Sequence, residues 1–511
     1  MTSSVHTAAQ AWDELHGDKD TFLTRCERYA SLTIPKLCLP DGFDVESTDQ
    51  THDYQSIGAQ AVNALTNKFM LALFAPSRPF FRVEPGEKTR AKMAVNGMDE
   101  KVVAAALGQM ERSAVKELDR RGQRPKLYAV IKNLIVLGNV LLVLEKDTMR
   151  VMGIRYFCVK RCADGSLHSL VIKECVKFNE LDEKARKALP NLYQDDTEVS
   201  HYRWIKRQDN GGKEPDYVMT QWVDMHQLPQ EEFGGKWPES KLPYRVLTWD
   251  LTDEADYGTG LVEEYSGDLE ALSTLSEAIV NGAVLGAEFR WTVDPTSMMS
   301  VEDVRDSVNG DVLAGKKDDL QMVTGGNPSS IETAAKVSER YERRVSLGFL
   351  MQGATTRDAE RVTAEEIRMQ ANELETSFGG TYSVLANNIQ KPIAEWLLKT
   401  IKVPEGMDLE LSIITGLDAL SRNGDLEALR LCLMDLAQIT ALPEDLQGRI
   451  KYQTIVDFIG NGRGIDFASF LKTEDEYQAW LDQQAAARVQ ESNAVEAGAA
   501  GAQAAVQPQG V

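Results

Sequence analysis

Between Arg361 and Leu398 the chain reads RVTAEEIRMQANELETSFGGTYSVLANNIQKPIAEWLL, the stretch that most narrows what it can fold into. Thr363 is placed to cap a helix, and Glu366, three residues on, reaches back to the amide of the cap. Val362 and Ile367 flank the pair as a hydrophobic staple. Behind the cap, Ile367, Ala371, Leu374, Phe378, Leu385 and Ile389 recur at helical steps and draw one apolar stripe. Gly379-Gly380 and Pro392 interrupt the run, which predicts a bent helix. Just upstream, SLGFLMQGATTRDAER (346–361) mixes an apolar run with Gly, Thr and charge, and reads as a mobile loop. A loop followed by a firmly capped helix in mid-chain suggests a part that moves against a scaffold.

The scaffold has ample material. The 511 residues hold two to four ordinary domains, and 43% hydrophobic content supports a real core. A formal net charge of -22 argues against binding nucleic acid by attraction, because phosphate contacts need clustered Lys and Arg. It fits solubility. The N-terminus lacks the basic lead and apolar core of a signal peptide. The longest apolar run, 128–145, is broken by Lys132, Asn133 and Asn139, so no membrane span is expected. Six scattered cysteines make no disulfide framework.

Taken in order, helices are expected over 8–30, 57–74, 95–121 and 125–137. Gly138-Asn139 is placed as a helix C-cap leading into a strand. Two antiparallel hairpins follow, turning at Asp164-Gly165 and at Asn210-Gly211-Gly212. Helices and then strands predict an α+β, mainly helical chain, with a first domain ending near Tyr257. Next comes a helix from about 260 to 285 with Val262, Tyr265, Leu269, Leu272 and Ile279 on its stripe. Its outer positions are acidic: Glu263, Glu264, Asp268, Glu270 and Glu277. A small strand-rich insertion reaches Val323. Ser329 and Glu332 then suit a second capping box, opening a helix to about Val345 whose Lys336, Arg340, Arg343 and Arg344 share one side. A short alternating stretch from Asp408 suits a strand returning to the first domain. Beyond Gln483 the Ala, Gln and Gly composition buries too little to offset chain entropy, so the tail is expected to be disordered.

Four segments carry a resemblance: HDYQSIGAQAVNALTNKFMLALFAPSRPFFRVEP, YGTGLVEEYSGDLEALSTLSEAIV, RVTAEEIR with its continuation ELETSFGGTYSVLANNIQKPI, and TGLDALSRNGDLEAL. In this order and spacing the chain, to about residue 480, resembles the portal (head-to-tail connector) proteins of short-tailed podoviruses of the autographivirus kind. The resemblance implies a portal fold: wing 1–257, first stem helix 258–286, clip 287–328, second stem helix 329–345 and tunnel loop 346–362. A long wing helix with a return strand (363–414), a helical crown (415–482) and the tail 483–511 complete it. It implies a structural ring subunit, typically one of twelve, at a capsid vertex of the virion, assembled in the host cytoplasm. The axial channel would serve double-stranded DNA packaging and ejection without sequence specificity. Implied partners are the major capsid protein, the terminase large subunit, tail adaptor or tubular proteins, and an internal core or scaffold protein. Tunnel loops would act as a valve, which makes Met351, Arg357 and Arg361 channel candidates.

Residue patterns that suggest other chemistry are weak. Gly310 to Lys317 approaches a phosphate loop, but Lys317 stands where a Mg²⁺-binding Ser or Thr is needed, and a strand-like DDLQMV follows. Cys158 and Cys162 lie four residues apart on one predicted strand, roughly 13 Å at about 3.3 Å per residue. One zinc ion with bonds of about 2.3 Å to sulfur does not span them. The six histidines show no triad or metal spacing. No cofactor, metal or active site is therefore expected. The acidic and basic stems leave two readings open: pairing within and between subunits, or DNA phosphates meeting the basic stripe. A tail adaptor, a core scaffold or, further off, a packaging NTPase are the competing functions.

Overall fold

The computed structural model describes residues 7–43, 53–75, 79–86, 100–190, 193–211, 213–324, 328–351, 373–374, 376–401 and 409–413. All of them lie in one unit of the chain, Met1–Gly416. The Arg357, Arg361, Thr363 and Glu366 candidates, the start of the long helix, the crown and the tail fall outside the described residues.

Among the described residues four helices open the chain: α1 (Ala8–Ser31), α2 (Ile57–Leu73), α3 (Glu100–Arg120) and α4 (Arg124–Leu137). Each follows a local cause. Thr7 caps α1 by accepting from the Gln10 amide at 3.2 Å. The predicted stripe of α2 is buried at Ala61, Leu65, Phe69 and Leu73. Helix α4 begins with Pro in its first turn and ends at Gly138, whose φ of 71° is the left-handed C-cap that its sequence predicts.

The chain then turns to strands. β2 (Asn139–Leu144) lies between β3 (Met149–Met152) and β10 (Tyr244–Thr248). A larger antiparallel sheet runs β4 (Phe157–Arg161), β5 (Leu167–Lys177), β6 (Glu198–Asn210), β7 (Lys213–Val223) and β8 (His226–Gln227), with β9 (Gly235–Pro238) also on β7. Both predicted hairpins are present. Gly165 turns the first with φ 76°, and Asn210 faces Lys213 across the second. Two short helices, α5 (Glu183–Ala188) and α6 (Gln230–Phe233), decorate this sheet. The return strand exists as β13 (Leu409–Ile413), but it pairs with β1 (Phe81–Pro85) in a separate two-stranded sheet, Phe81 opposite Ile413. The architecture is α+β.

Helix α1 sits on the large sheet. Trp12 packs with Cys158, Val171, Tyr202 and Trp204. About two turns further on, the fully buried Lys19 donates to the Phe157 carbonyl at 2.7 Å and to the Ile154 carbonyl. Burial pulls its ammonium down to about 8. Carbonyls rather than a carboxylate hold this cation, so its role here is to tie α1 to β4. Cys158 is buried in this cluster as a small apolar residue, while Cys175 is exposed.

Candidate functional site

The site is a pair of long helices: α7 (Leu261–Ala287) and α9 (Pro328–Gly348). They pack along each other and are joined through the antiparallel ribbon of β11 (Phe289–Val293) and β12 (Leu320–Thr324), with the short helix α8 (Val301–Asp306) between the strands. Where the two helices approach, a Cβ on Gly282 would stand 3.1 Å from the Ile331 side chain. The stretch resembling a phosphate loop, 310–317, is instead irregular chain that ends in a 3-10 turn, Lys317–Asp319, running straight into β12. Helix α9 starts at Pro328, one residue ahead of Ser329, so Ser329 lies inside the first turn rather than capping it. Glu332 turns forward to Lys336 at 2.7 Å instead of back to an amide.

The acidic residues of α7 do not form one face. Glu263 pairs with Arg25 of α1 at 3.0 Å, and Glu270 pairs with Arg28. Asp268 lies on the opposite flank and takes Arg344 of α9 at 2.8 Å. Glu264 and Glu277 are exposed and carry no ion pair among the described residues. Only Arg344 of the basic stripe therefore reaches the neighbouring stem helix, with its guanidinium also 5.3 Å from the Tyr341 ring centroid. Helical spacing explains why. Val345, fully buried, and the half-buried Ile331, Val337 and Tyr341 lie on the side toward α7, and Lys336, Arg340 and Arg343 fall on the other. These three are exposed.

At its near end the pair is clamped. Tyr265 of α7 meets Phe349 edge-on with ring centroids 5.3 Å apart, and Phe349 is fully buried. Burial, with Glu264 and Asp268 adding to it, raises the Tyr265 phenol. Gly348 lets the ring in: a Cβ there would be 2.2 Å from Tyr265 Cζ. The chain then leaves α9 through a Schellman turn. Leu350 N–H donates to Leu347 O at 3.1 Å and Met351 N–H to Ser346 O at 2.8 Å, with Leu350 at φ 53°. Met351 is thereby folded back, half-buried against the core cluster. This corrects one expectation: the helix runs three residues past 345, because Val345 and Phe349 continue the buried stripe. The rest of the expected tunnel loop, from residue 352, lies outside the described residues.

Gly348→Ala should loosen this clamp, because overpacking of this kind costs about 2 kcal/mol. Amide exchange in 340–351 should quicken by roughly 30-fold, the factor for that energy when exchange follows local opening. In a Tyr265→Ala background the same substitution should change exchange little, because the ring it strikes is gone.

The outer half of α7 is bare. Val280, Val284 and Leu285 are 49%, 56% and 49% exposed, and the ribbon adds Trp291 and Met322 at 52% and 55%. Contiguous apolar surface of this kind marks an interaction site. Among the described residues no group of His, Cys, Asp and Glu is arranged to hold a metal, and no helix is long and apolar enough to cross a membrane.

The long helix supplies the base. Its described part is interrupted at Gly379, φ 50°, and continues as α10 (Gly380–Ile401) with Pro392 inside. Leu374, Leu385 and Ile389 of the predicted stripe are buried. Lys68 of α2 pairs with Glu373 at 2.6 Å, and Gln390 donates to the Leu73 carbonyl at 2.6 Å. The Arg25 and Arg28 partners of the stem were not legible in the sequence, since ion pairs 238 and 242 residues apart leave no local pattern.

A helical hairpin on an α+β base thus carries one exposed apolar stretch and one exposed basic side. A family model described as bacteriophage head to tail connecting protein matches residues 5–471. The portal protein of Enterobacteria phage SP6 is 31% identical over 486 residues, covering 93% of this chain and 92% of that protein. That of Enterobacteria phage T3 is 32% identical, covering 97% and 93%, and that of Pseudomonas phage phiKMV is 32% identical, covering 94% of each. The chain belongs to the bacteriophage head to tail connecting proteins. It is a structural subunit of the portal vertex, a virion component joining head and tail.

Proposed function

We propose that this chain closes into a ring, typically of twelve in its family, around an axial channel through which double-stranded DNA passes in packaging and ejection. The observation that supports the reading is the stem pair, whose outer half exposes Val280, Val284 and Leu285 and whose far side carries Arg340 and Arg343 with no ion pair among the described residues. Head-to-tail contacts close when the rotation between neighbours divides a full turn, and two unlike faces on one hairpin suit that arrangement. Residues 1–257 act as the wing against the major capsid protein. The 287–328 ribbon is the clip that meets the terminase large subunit and then tail adaptor proteins, while the crown side faces an internal core or scaffold protein. The residues from 352 to about 362, Arg357 and Arg361 included, serve as the tunnel loop. Thr363 and Glu366 cap the helix behind it. The work is mechanical, without covalent chemistry, and assembly takes place in the host cytoplasm. Negative-stain imaging of the purified chain should show closed rings with a central hole. Only monomers or dimers across protein and salt concentrations would count against the reading.

Lys336, Arg340 and Arg343 then meet the neighbour's unpaired Glu264 and Glu277 rather than DNA. Arg340→Glu with Arg343→Glu should raise the concentration at which rings dissociate on the order of tenfold, the equivalent of about 1.4 kcal/mol. Glu264→Lys with Glu277→Lys in the same chain should restore it. Unchanged rings with poor genome packaging would assign the stripe to DNA instead.

A further inference from the structure

Strand β4 ends the large sheet, so among the described residues one side of it has no neighbouring strand. In an antiparallel pair alternate residues turn their N–H and C=O groups toward the partner, and those between turn them away. Phe157, Val159 and Arg161 are the outward set of β4, and a side chain meets each of them. Lys19 donates to the Phe157 carbonyl at 2.7 Å. Val159 N–H donates to the Tyr257 hydroxyl at 3.0 Å, and Arg161 N–H to a carboxylate oxygen of Asp256 at 2.7 Å. Val159 is 1% exposed, so the middle of this edge is closed to water.

Two segments supply these groups. Lys19 comes from α1, and Asp256 and Tyr257 come from the loop 250–259. The neck of that loop is closed by a bridge between Asp250 and Thr259, with Thr259 N–H donating to the Asp250 carbonyl at 2.8 Å. Its tip is pinned twice more. Tyr257 stacks on Phe22 of α1 with ring centroids 5.0 Å apart, and Asp256 pairs with Lys160 at 2.8 Å. The loop runs on through Gly260 into α7, so the cover of β4 and the root of the stem are one piece of chain.

An open sheet edge is a template for a strand from another chain. We propose that Lys19, Asp256 and Tyr257 form a seal on β4, and that without it β4 adds the same strand of a second copy of this chain. The second copy is the occupant because the edge is self-complementary. Two β4 strands set antiparallel about Val159 place Phe157 of each against Arg161 of the other, so every outward donor and acceptor finds a partner. The seal lies within one subunit and holds whether or not the ring closes.

Asp256→Ala with Tyr257→Phe removes both acceptors and keeps the aromatic ring that stacks on Phe22. The full chain would be followed by residue-resolved amide exchange and by sedimentation over a series of concentrations. At the lowest concentration the Val159 and Arg161 amides of the variant should exchange about tenfold faster than in the unsubstituted chain, as for one lost hydrogen bond each. As concentration rises, the variant should form larger species than the unsubstituted chain forms, with those two amides protected again. Unchanged exchange, or faster exchange with no added association, would overturn the seal and leave these contacts as packing of α1 on the sheet. Should the variant fail to fold, the unsubstituted chain carries the test. Its Val159 and Arg161 amides should exchange as slowly as those of β5, which has a strand on each side. Exchange there as fast as in an open strand edge overturns the proposal.

Discussion

Val284→Glu should give chains that fold normally and form no rings. Val284 is 56% exposed on the outer half of α7, one helical turn from Val280 and on the side away from Gly282, which faces α9. Within the subunit a carboxylate there stays in water, so secondary structure and the wing core should be untouched. Between subunits it is buried without a partner against the next stem, which destabilises each contact by about 3 kcal/mol or more. A closed ring repeats that loss at every interface, so the effect is all-or-none rather than graded. Val284→Thr, which keeps the shape and adds no charge, should form rings of reduced stability. Sedimentation and circular dichroism on the three proteins make the comparison. Rings of normal stability from Val284→Glu would move the subunit contact off the stem and leave the apolar stretch to some other partner.

The elements legible in the sequence were those with local causes. The Asp164-Gly165 turn and the Gly138 cap each act through a neighbour a few residues away, and each does in the structure what its pattern predicts. The alternation in Leu409–Ile413 likewise announced a strand. What a pattern cannot carry is which side of an element meets what. The acids of α7 looked like one outer set, yet Arg25 and Arg28 claim two of them and Arg344 a third from the opposite flank. The Ser329 and Glu332 pair fits the spacing of a capping box, but Pro328 starts the helix one residue earlier and displaces it. Residues 346–351 read as loop because Gly348 and Ser346 break the composition. They are held as helix and cap by Tyr265, which is some eighty positions away and leaves no local signal.

The same limit hid the joint on which the stem stands, and substitutions there should have the largest effect on folding. Gly138 ends α4, and its backbone lies against the residues that start α7. A Cβ on Gly138 would be 2.4 Å from the Thr259 carbonyl carbon and 2.5 Å from the Gly260 nitrogen. A Cβ on Gly260 would be 2.8 Å from both the Gly138 nitrogen and the Ile135 oxygen. These neighbours are backbone and have no rotamer to give. Asn139 locks the joint. Its fully buried amide donates to the Gly258 carbonyl at 2.6 Å and accepts from the Gly258 N–H at 2.9 Å. Gly138→Ala adds the strain of φ 71° to the collision and should cost more than about 4 kcal/mol, enough to leave little soluble chain. Gly260→Ala lacks that φ penalty and should cost less, separating strain from contact. Asn139→Leu keeps the volume but strands both groups of Gly258, at about 1–3 kcal/mol for each buried polar group left unmade. Such chains should fold at reduced temperature with α7 poorly anchored. Soluble yield, thermal unfolding and amide exchange in 255–265 would rank the three. Exchange in 255–265 as slow as in the unsubstituted chain for Asn139→Leu would show that packing alone seats the stem on the wing.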